Sequence, residues 1–383
     1  MKKICRLLNL KDLISKKSYF LFGPRQSGKS FLINEQLDNV PVVDLLESET
    51  FLRLSQKPSL IRELLPPGTT YAVIDEVQKL PILLDEVHLL IERRGINFLL
   101  TGSSARKLKR QGVNMLGGRA RSRNLHPLVF AELKEDFELM RALEIGLLPS
   151  IFLSDEPEED LSAYVDDYLR LEIAAEGLTK NLPAFSRFLE VAASTNGQII
   201  NYQSISSDAQ VANTTVTEYY QVLRDTLIGR DLKCWQATVK RKPVAKSKFY
   251  FFDTGVVRRI LGLKQLKKRS PDFGDTFEAY IHHELSSYCD YHSGVSLFYW
   301  RSQVSKFEVD FILNEKIAIE VKAKDIVSKK DLRGIEAIMQ ENLLERYFII
   351  SLETQLRTLD NGIEIWPWDQ FLEKLWNDDF EVL

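Results

Sequence analysis

A glycine-framed loop between an apolar, strand-like run and a helix-like segment constrains the fold of this 383-residue chain most strongly. The loop, "GPRQSGKS", fits the pattern G-x-x-x-x-G-K-[ST] at Gly23, Gly28, Lys29 and Ser30. Glycines let the backbone turn so that its N–H groups face one anion, and the following helix adds the positive end of its dipole. The strand, loop and helix together predict a phosphate-binding loop in a parallel α/β sheet.

Each position of this loop has an expected task. Lys29 is expected to reach the β- and γ-phosphates of a nucleotide, and the Ser30 hydroxyl is expected to ligate Mg²⁺. The alternative is a glycine turn that carries a lysine by chance, and a second motif argues against it. The predicted nucleotide-binding residues are Gly23, Pro24, Arg25, Gln26, Ser27, Gly28, Lys29, Ser30 and Asp75.

The second motif, "TYAVIDEVQKLP", joins a buried strand to two adjacent carboxylates. Asp75 and Glu76 follow four mainly apolar residues, and the carboxyl ends of strands are where α/β folds bind ligands. We expect Asp75 to hold the magnesium ion and Glu76 to orient and activate the attacking water. A third strand, "INFLLTGSS", brings the hydroxyls of Ser103 and Ser104 to the same edge. One of them could contact the γ-phosphate, or the segment could simply begin a loop.

The pattern along the chain predicts an α/β protein with four parts. Short apolar runs alternate with helix-like segments up to residue 135, which is typical of a parallel sheet. An acidic stretch with helical spacing follows, and we interpret residues 136–182 as a helical connector. Two helices and a β-like segment predict a winged-helix-like module at 183–250, and alternating strands and helices resume over 251–383.

The module at residues 183–250 contains a helix-turn-helix candidate. Its second helix would expose Thr214, Thr217 and Gln221, polar groups able to meet a base edge or a phosphate. The stretch "KRKPVAKSK", Lys240–Lys248, contains five basic residues and could form a wing that neutralises DNA phosphates. The alternative is that the helix pair only packs between domains.

The stretch "FEVDFILNEKIAIEVKAK" predicts two strands around a tight loop. Strict alternation puts Glu320 and Lys322 on one face of the second strand. The position of Asp310 depends on the loop: two residues would send it to the apolar side, whereas three residues, through Lys316, would set it opposite Glu320.

In the three-residue register the two carboxylates would stand about 5 Å apart at Cβ and could share one divalent cation. Lys322 would stabilise or activate the attacking hydroxide, as in metal-assisted phosphodiester hydrolysis. Glu278, in a helix-like segment, is a further candidate carboxylate. The alternative interpretation is a surface ion-pair network on an exposed sheet face.

Composition excludes several classes of protein. Hydrophobic content of 44% and charged content of 27% are those of a globular chain, and a net charge of −3 gives no overall attraction to nucleic acid. Three dispersed cysteines argue against disulfides and zinc ribbons. We find no signal peptide and no apolar run long enough to span a membrane. A soluble, cytoplasmic protein without a membrane partner is expected.

The first 135 or so residues resemble the AAA-type ATPase domain of a large group of prokaryotic proteins, on "GPRQSGKS", "AVIDEVQKLP", "LLTGSS" and "LGGRARSRNLHPLVFAEL". This resemblance implies binding and hydrolysis of ATP with Mg²⁺ as cofactor, and Ser103 as γ-phosphate sensor. It also favours Arg119 as a charge-stabilising arginine, acting in its own subunit or a neighbour's. Arg106, Arg121 and Arg123 are the alternatives.

The rest of the chain resembles the carboxyl-terminal domains that accompany these ATPases, which have a winged-helix module and a restriction-endonuclease-like fold, on "FYFFDTGVV", "FEAYIHHEL", "FEVDFI" and "IEVKA". The resemblance places Glu278, Asp310, Glu320 and Lys322 at nuclease positions. We therefore predict an ATPase whose nucleotide state controls a nuclease-like domain acting on DNA. The alternative is an ATP-dependent switch that binds a protein partner, with the nuclease-like domain retained only for docking. A third alternative is a nucleotide sensor that binds ATP without hydrolysing it, and the partner could also be a second copy of the chain.

Overall fold

The computed structural model describes residues 3–104, 108, 116–172 and 181–382. They form two compact units. The amino-terminal unit contains Lys3–Pro127 and Asp225–Ile228, and the carboxyl-terminal unit contains Leu128–Arg224 and the chain from Gly229 onward. The predicted division into connector, winged-helix-like module and final domain stays a prediction, because all three segments lie in the second unit. Among the described residues, no helix combines the length and the apolar character that crossing a bilayer requires.

The amino-terminal unit is a five-stranded sheet with helices, as predicted. Its strands are β1 Ser18–Phe22, β2 Val42–Asp44, β3 Tyr71–Asp75, β4 Asn97–Gly102 and β5 Ala120–Asn124. Its helices are α1 Leu10–Lys16, α2 Lys29–Gln36, α3 Ser48–Gln56, α4 Ile61–Leu64 and α5 Leu83–Arg94. Single 3₁₀ turns lie at Pro58–Leu60, Val77–Lys79 and Leu116–Gly118.

All pairings in this sheet are parallel, in the order β2-β3-β4-β1-β5. All five side chains of β1 are buried, as expected for a strand covered on both faces. Strand β4 lies between β1 and β3, so the loop after β1 and the carboxylates after β3 flank it at one edge of the sheet. This order places the two sequence motifs side by side.

The carboxyl-terminal unit mixes helices with a six-stranded sheet and a separate hairpin. Its strands are β6 Gly229–Leu232, β7 Lys248–Phe251, β8 Leu297–Arg301, β9 Glu308–Leu313, β10 Ile317–Lys322, β11 Arg346–Ser351, β12 Arg357–Thr358 and β13 Glu364–Pro367. Its helices are α6 Phe130–Leu133, α7 Leu139–Ile145, α8 Pro149–Phe152, α9 Pro157–Ala163, α10 Leu182–Ser194, α11 Tyr202–Ala209, α12 Asn213–Asp225, α13 Thr254–Ile260, α14 Pro271–Tyr291, α15 Arg333–Met339 and α16 Trp368–Trp376. A π-helical stretch spans Tyr164–Glu172, and 3₁₀ turns lie at Lys134–Asp136 and Lys329–Leu332.

The segment predicted as a winged-helix-like module forms three helices, α10 to α12, followed by the antiparallel hairpin β6–β7. Aromatic rings join these elements: Phe188 of α10 lies 5.1 Å from Tyr220 of α12, and Tyr220 lies 4.8 Å from Phe249 of β7, between ring centroids. The polar residues Thr214, Thr217 and Gln221 are exposed on α12. Contact with DNA through this face stays a prediction.

The six-stranded sheet, in the order β12-β13-β11-β10-β9-β8, settles the register that the sequence left open. Leu313 pairs with Ile317 across a three-residue loop, in which Asn314 and Glu315 have positive φ values of 48° and 55°. The next pairs along the ladder, up to Phe311 with Ile319, set Asp310 opposite Glu320. Of the two registers, the three-residue alternative is therefore the one adopted.

A buried carboxyl inside this unit explains one of the sequence motifs. Asp253, in "FYFFDTGVV", accepts hydrogen bonds from the backbone N–H groups of Leu147 (2.7 Å) and Val256 (3.0 Å). It therefore caps α13 and ties it to the turn after α7, where Gly255 leaves room for the backbone of Ile145. Burial raises the pKa of Asp253 to about 6. This motif has a structural role.

Candidate functional site

The glycine loop connects the carboxyl end of β1 to the first turn of α2. The Gly23 N–H donates to the carbonyl of Gly102 on β4 (3.3 Å), and a Cβ at Gly23 would lie 2.5 Å from the carbonyl oxygen of Leu125. Gly28 has a left-handed backbone with φ of 92°, immediately before the helix. Both glycines of the motif are thus required by the backbone path, one by crowding and the other by conformation.

Lys29 is buried in this loop and held by the loop's own backbone. Its Nζ donates to the carbonyls of Gly23 (2.7 Å) and Pro24 (3.0 Å). Burial lowers the pKa of Lys29 to about 8, although the nearby Glu76 and Asp75 charges oppose the shift. The ammonium therefore lies against the backbone of the glycine loop, and its contact with phosphates stays a prediction.

Asp75 connects three elements at the edge of the sheet. Its Oδ2 accepts a hydrogen bond from Ser30 Oγ of α2 (3.1 Å), and its Oδ1 accepts one from the Thr101 hydroxyl of β4. The hydroxyl and the carboxylate predicted to hold Mg²⁺ are therefore in contact, although the two residues are 45 positions apart. Neighbouring hydroxyl and carboxylate oxygens are the donor set that Mg²⁺ prefers, so these residues fit the ion.

Glu76 and Ser103 do not contact each other directly; Gln78 lies between them. Its side-chain Nε2 donates both to Glu76 Oε2 and to Ser103 Oγ (3.2 Å). Glu76 has a left-handed backbone with φ of 58°. Burial raises the pKa of Glu76, and the charge of Lys29 partly opposes this. The sequence analysis missed Gln78, although a glutamine two residues after an Asp-Glu pair was a usable signal.

Arg6 is a second residue that sequence reasoning missed. Its guanidinium is buried and donates to the carbonyls of Ser27 (2.7 Å) and His126 (2.6 Å). The arginine therefore ties the glycine loop to the segment that follows β5. Its only signal in the sequence was a cation within the apolar start "ICRLLNL".

Arg119 lies away from the glycine loop of its own chain. It directly precedes β5, in which Ala120 pairs with Ser18 at the amino end of β1, whereas the loop follows Phe22 at the other end. Four residues of strand separate these points by roughly 13 Å. Arg119 instead forms an ion pair with Glu92 of α5. Arg119 thus lies away from the loop of its own chain, and its role as a charge-stabilising arginine, in its own subunit or a neighbour's, stays a prediction.

Of the three arginines that are alternatives to Arg119, the structure describes two. Arg106 lies outside the described part of the chain. Arg121 and Arg123 lie on β5 opposite Tyr19 and Leu21, and the Arg123 guanidinium lies 5.9 Å from the centroid of the Tyr19 ring. Both belong to the strand rather than to the loop.

Asp310 and Glu320 face each other in the interior of the carboxyl-terminal unit. Asp310 Oδ2 accepts a hydrogen bond from the N–H of Val321 (2.8 Å), and Glu320 Oε1 accepts one from Lys322 Nζ. Glu320 is only 7% exposed, and its second oxygen, Oε2, is buried without a hydrogen-bond partner. Burial raises the pKa of both carboxyls, and the charge of Asp310 adds to the rise at Glu320. The pair is therefore a buried acidic site.

Glu278 is close to this pair but is engaged by other groups. It accepts hydrogen bonds from Tyr250 Oη (2.6 Å) and from Lys248 Nζ (3.4 Å), and Lys248 also pairs with Glu308 (2.7 Å). Within the described residues, no set of three His, Cys, Asp or Glu side chains is arranged to hold a metal ion. The structure thus brings together two of the three predicted carboxylates and Lys322, while Glu278 belongs to a neighbouring network.

Three of the five basic residues in the stretch predicted to neutralise DNA phosphates have partners within the protein. Lys248 is buried beside Glu278. Lys240 donates to the carbonyl of Gln340, and Arg241 donates to that of Ala337 (3.0 Å) at the end of α15. The partners of these three residues lie far away in the sequence, and contact of the stretch with DNA stays a prediction.

A cleft adjoins the acidic site. Its volume is about 600 Å³, and its lining includes Glu278, Lys322, Lys324 and Asp325. A smaller cavity of about 340 Å³ lies on the other side of Glu278, next to Lys248. Glu278 and Lys322 are thus accessible from one cleft.

Comparison with protein families divides the chain into three segments. Residues 15–134 match the model of an "AAA domain". Residues 136–267 match a domain of unknown function (DUF8612), and residues 273–371 match another (DUF4143). Apart from the short junctions between them, these matches cover most of the chain.

Curated relatives and solved structures are distant. Uncharacterized proteins of Mycobacterium tuberculosis and Mycobacterium bovis are each 27% identical over 300 residues, which is 74% of this chain and 64% of theirs. A Haemophilus influenzae protein is 25% identical over 275 residues, 63% of this chain and 68% of its own. The chain thus spans slightly less than two thirds of the mycobacterial relatives.

Two solved structures align over parts of this chain. The Aeropyrum pernix ORC1 protein in complex with DNA is 15% identical, covering 64% of this chain and 86% of its own, with a TM-score of 0.22. A Pyrococcus horikoshii STAND ATPase with a tetratricopeptide repeat sensor is 14% identical, covering 75% and 46%, with a TM-score of 0.24. TM-scores below 0.5 do not establish a shared overall fold. The match to the AAA domain covers residues 15–134, and the glycine loop and the carboxylates after β3 lie within that segment.

Proposed function

We propose that the amino-terminal unit binds ATP and hydrolyses it with Mg²⁺ as cofactor. The observation that carries this proposal is the convergence of Lys29, Ser30 and Asp75 at one edge of the sheet, from two strands separated by β4. A turn carrying a lysine by chance would not bring its serine into contact with a carboxylate from another strand.

The residues divide the work of phosphoryl transfer to water. Lys29 exchanges its two backbone carbonyls for phosphate oxygens and neutralises their charge. Ser30 and Asp75 would hold Mg²⁺, which supplies further neutralisation at the phosphate oxygens. Glu76 orients the attacking water and accepts its proton, and the Ser103 hydroxyl donates a hydrogen bond to a γ-phosphate oxygen. Arg119 of a neighbouring copy would supply the remaining positive charge.

The test is the steady-state ATPase rate of the full chain and of two variants, Lys29→Ala and Glu76→Gln. Both should lower the rate at least 100-fold, since each removes a group that contacts the reacting phosphate or water. Lys16→Ala is the matched control, because Lys16 is an exposed lysine of the same unit paired only with Asp12. Rates equal to the wild type in both variants would end the ATPase proposal.

The second candidate function is cation-dependent hydrolysis of phosphodiesters in DNA by the carboxyl-terminal unit. It is favoured by the buried pair of Asp310 and Glu320 and by the unpartnered oxygen Glu320 Oε2, which has no other use in the fold. Two facing carboxylates fit a divalent cation, which would supply Lewis acidity at the phosphate. Lys322 would stabilise charge on the attacking oxygen. The ATPase state would then control this cleavage.

Cleavage is tested by incubating the full chain with single-stranded, duplex and branched DNA in Mg²⁺ or Mn²⁺, with and without ATP. Asp310→Ala should abolish cleavage. Asp360→Ala is the matched control, because Asp360 is an exposed aspartate of the same unit. Cleavage that survives Asp310→Ala would show a contaminant or another site.

A protein partner is the alternative to DNA. It is favoured by the internal engagement of the basic residues Lys240, Arg241 and Lys248, which leaves fewer cations for phosphates. In that case the carboxyl-terminal unit would serve as a docking domain for an ATP-dependent switch. Absence of both cleavage and DNA binding at low salt, where electrostatic attraction is greatest, would favour this alternative.

A further inference from the structure

The short turn after β3 contains a buried side chain with no task in the hydrolysis scheme. Gln78 lies in the 3₁₀ turn Val77–Lys79 and is only 4% exposed. Its amide lies between Glu76, which follows β3, and Ser103, which follows β4. One side chain thus contacts both the residue proposed to activate water and the residue proposed to contact the γ-phosphate.

The chemistry of the groups determines how this amide is oriented. Glu76 offers a carboxylate oxygen, which can only accept, so the amide must present its NH₂ group there. The opposite orientation would set Gln78 Oε1 against the carboxylate, with two acceptors facing each other. The same NH₂ group donates to Ser103 Oγ, so the serine hydroxyl accepts and keeps its own proton for a further acceptor.

Burial of the Gln78 amide leaves one of its polar atoms without a hydrogen bond. Gln78 Oε1 is buried and has no hydrogen-bond partner, which is unfavourable for a polar atom. It lies against Gly102, where a Cβ would collide with it. The glycine at the end of β4 therefore leaves room for the glutamine. Gln78 thus keeps two hydrogen bonds, to Glu76 and Ser103, while its carbonyl oxygen has none. We take this as a sign that the two hydrogen bonds fix the position of the amide.

Together these contacts form a directed series of donors. A γ-phosphate oxygen that accepts the Ser103 proton makes the serine oxygen a better acceptor, because hydrogen bonds in series polarise one another. The hydrogen bond from the Gln78 NH₂ group to Ser103 then becomes stronger, and the hydrogen bond from the same group to Glu76 changes with it. Without a γ-phosphate, the hydrogen bond from Gln78 to Ser103 is weaker.

We propose that Gln78 is a positioning residue that makes the orientation of the Glu76 carboxylate depend on whether Ser103 contacts a γ-phosphate. This inference rests on the proposed ATPase function and adds to it a means by which the site distinguishes ATP from ADP. Gln78 acts through its two neighbours, Glu76 and Ser103.

The test compares kcat and KM for ATP in Gln78→Met, Ser103→Ala and the double variant. Methionine keeps the length and volume of glutamine but removes both donors. We expect Gln78→Met to lower kcat roughly tenfold or more while KM changes less than about threefold, because the loss affects catalysis and not ATP binding. The double variant should be no more than about twofold slower than the slower single variant, because both break the same series.

The matched control is Gln36→Met. Gln36 also makes two hydrogen bonds inside the amino-terminal unit, to the carbonyl of Leu8 and from the N–H of Leu10, but it lies at the far end of α2. Gln78→Asn is the second variant, in case methionine prevents folding. Its shorter amide cannot reach both partners, and the same fall in kcat is expected.

Three outcomes would overturn the proposal. If Gln78→Met and Gln78→Asn hydrolyse ATP as fast as Gln36→Met, Gln78 has no positioning role, while the ATPase function stands. If the effects of Gln78→Met and Ser103→Ala multiply in the double variant, the two residues act independently. If the wild type and Lys29→Ala both lack turnover, the ATPase function fails and the role of Gln78 fails with it.

Discussion

The glycine loop and the acidic site both place a lysine beside a carboxylate at the end of a strand, yet they satisfy these charges in different ways. Lys29 donates to two backbone carbonyls, and Asp75 accepts from two hydroxyls, so each has neutral partners. In the acidic site Lys322 pairs directly with Glu320, and Asp310 faces the same carboxylate. The charged groups of the glycine loop are therefore hydrogen-bonded to neutral groups, whereas those of the acidic site are paired with opposite charges.

This difference indicates which kind of ligand each site can accept. The glycine loop has neutral partners that a triphosphate can replace without leaving a charge unpaired. The acidic site buries Asp310 and Glu320 beside Lys322, with Glu278 and Lys248 as a second carboxylate–lysine pair nearby, and one oxygen of Glu320 is left without a partner. Burial of an excess negative charge is expensive, so this site is stabilised by taking up a proton or a cation. Four predictions test the contrast, from the largest effect to the smallest.

The largest effect is expected from a divalent cation on the carboxyl-terminal unit. Mn²⁺ at a hundredfold excess over its Kd should stabilise this unit by about 2.7 kcal/mol. All five tryptophans of the chain lie in this unit, so urea unfolding of the full protein followed by tryptophan fluorescence reports on it. Asp310→Asn should remove the effect and Asp360→Asn should keep it. A midpoint that does not move at millimolar Mn²⁺ contradicts a cation site.

Without metal, Glu320→Gln should stabilise the carboxyl-terminal unit at pH 8 by about 1–3 kcal/mol. The raised pKa of Glu320 means that the folded state holds its proton more tightly than the unfolded chain. The wild type therefore loses stability as the pH rises above the unfolded pKa, and glutamine does not. The gain should be small at pH 5 and larger at pH 8. Glu373→Gln, on the exposed face of α16, is the control. A gain that shrinks with rising pH would contradict the buried carboxylate pair.

In the glycine loop the titrating group is the Lys29 ammonium. Because this cation is proposed to contact the phosphates, the affinity for ATP should depend on pH. With a pKa of about 8, Lys29 of the free protein loses its charge above pH 8, and affinity for an ATP analogue should fall about tenfold per pH unit beyond it. The unfolded chain binds this proton more tightly, so the cost of burying Lys29 is relieved as the pH rises from 8 toward 10.5. Calorimetric titrations at pH 7, 8 and 9 measure the affinity. Lys29→Arg, which stays charged, should show a flatter profile.

The smallest effect is expected at Arg119. Its ion pair with Glu92 is exposed, so Arg119→Ala should leave the free energy of unfolding nearly unchanged. Because Arg119 lies away from its own loop, the ATPase rate per chain in dilute solution should be unchanged. A rate that falls only at high protein concentration would show action on a neighbouring copy. A fall at every concentration would contradict the sheet geometry.

Features that depend on neighbours in the chain were predictable, and features that depend on distant partners were not. The loop at 23–30 follows from local rules about glycine and helix starts, and hydrophobic patterns identified the strands that carry Asp75 and Glu320. The pairing of Lys248 with Glu308, and of Arg241 with α15, joins residues 60 to about 100 positions apart. No local pattern contains that information, so the sequence suggested free cations. The roles of Gln78 and Arg6 were not predicted for the same reason, because they depend on contacts that form only in the folded protein.

The amino-acid sequence by itself determined the phosphate-binding loop, the α/β class and the alternation that sets Glu320 and Lys322 on one face, because each follows from backbone geometry over a few residues. Tertiary structure alone decided that β4 separates the two motif strands, that Asp310 faces Glu320 and that Gln78 joins Glu76 to Ser103. These outcomes depend on strand order, loop conformation and burial, which are set by the packing energy of a whole unit.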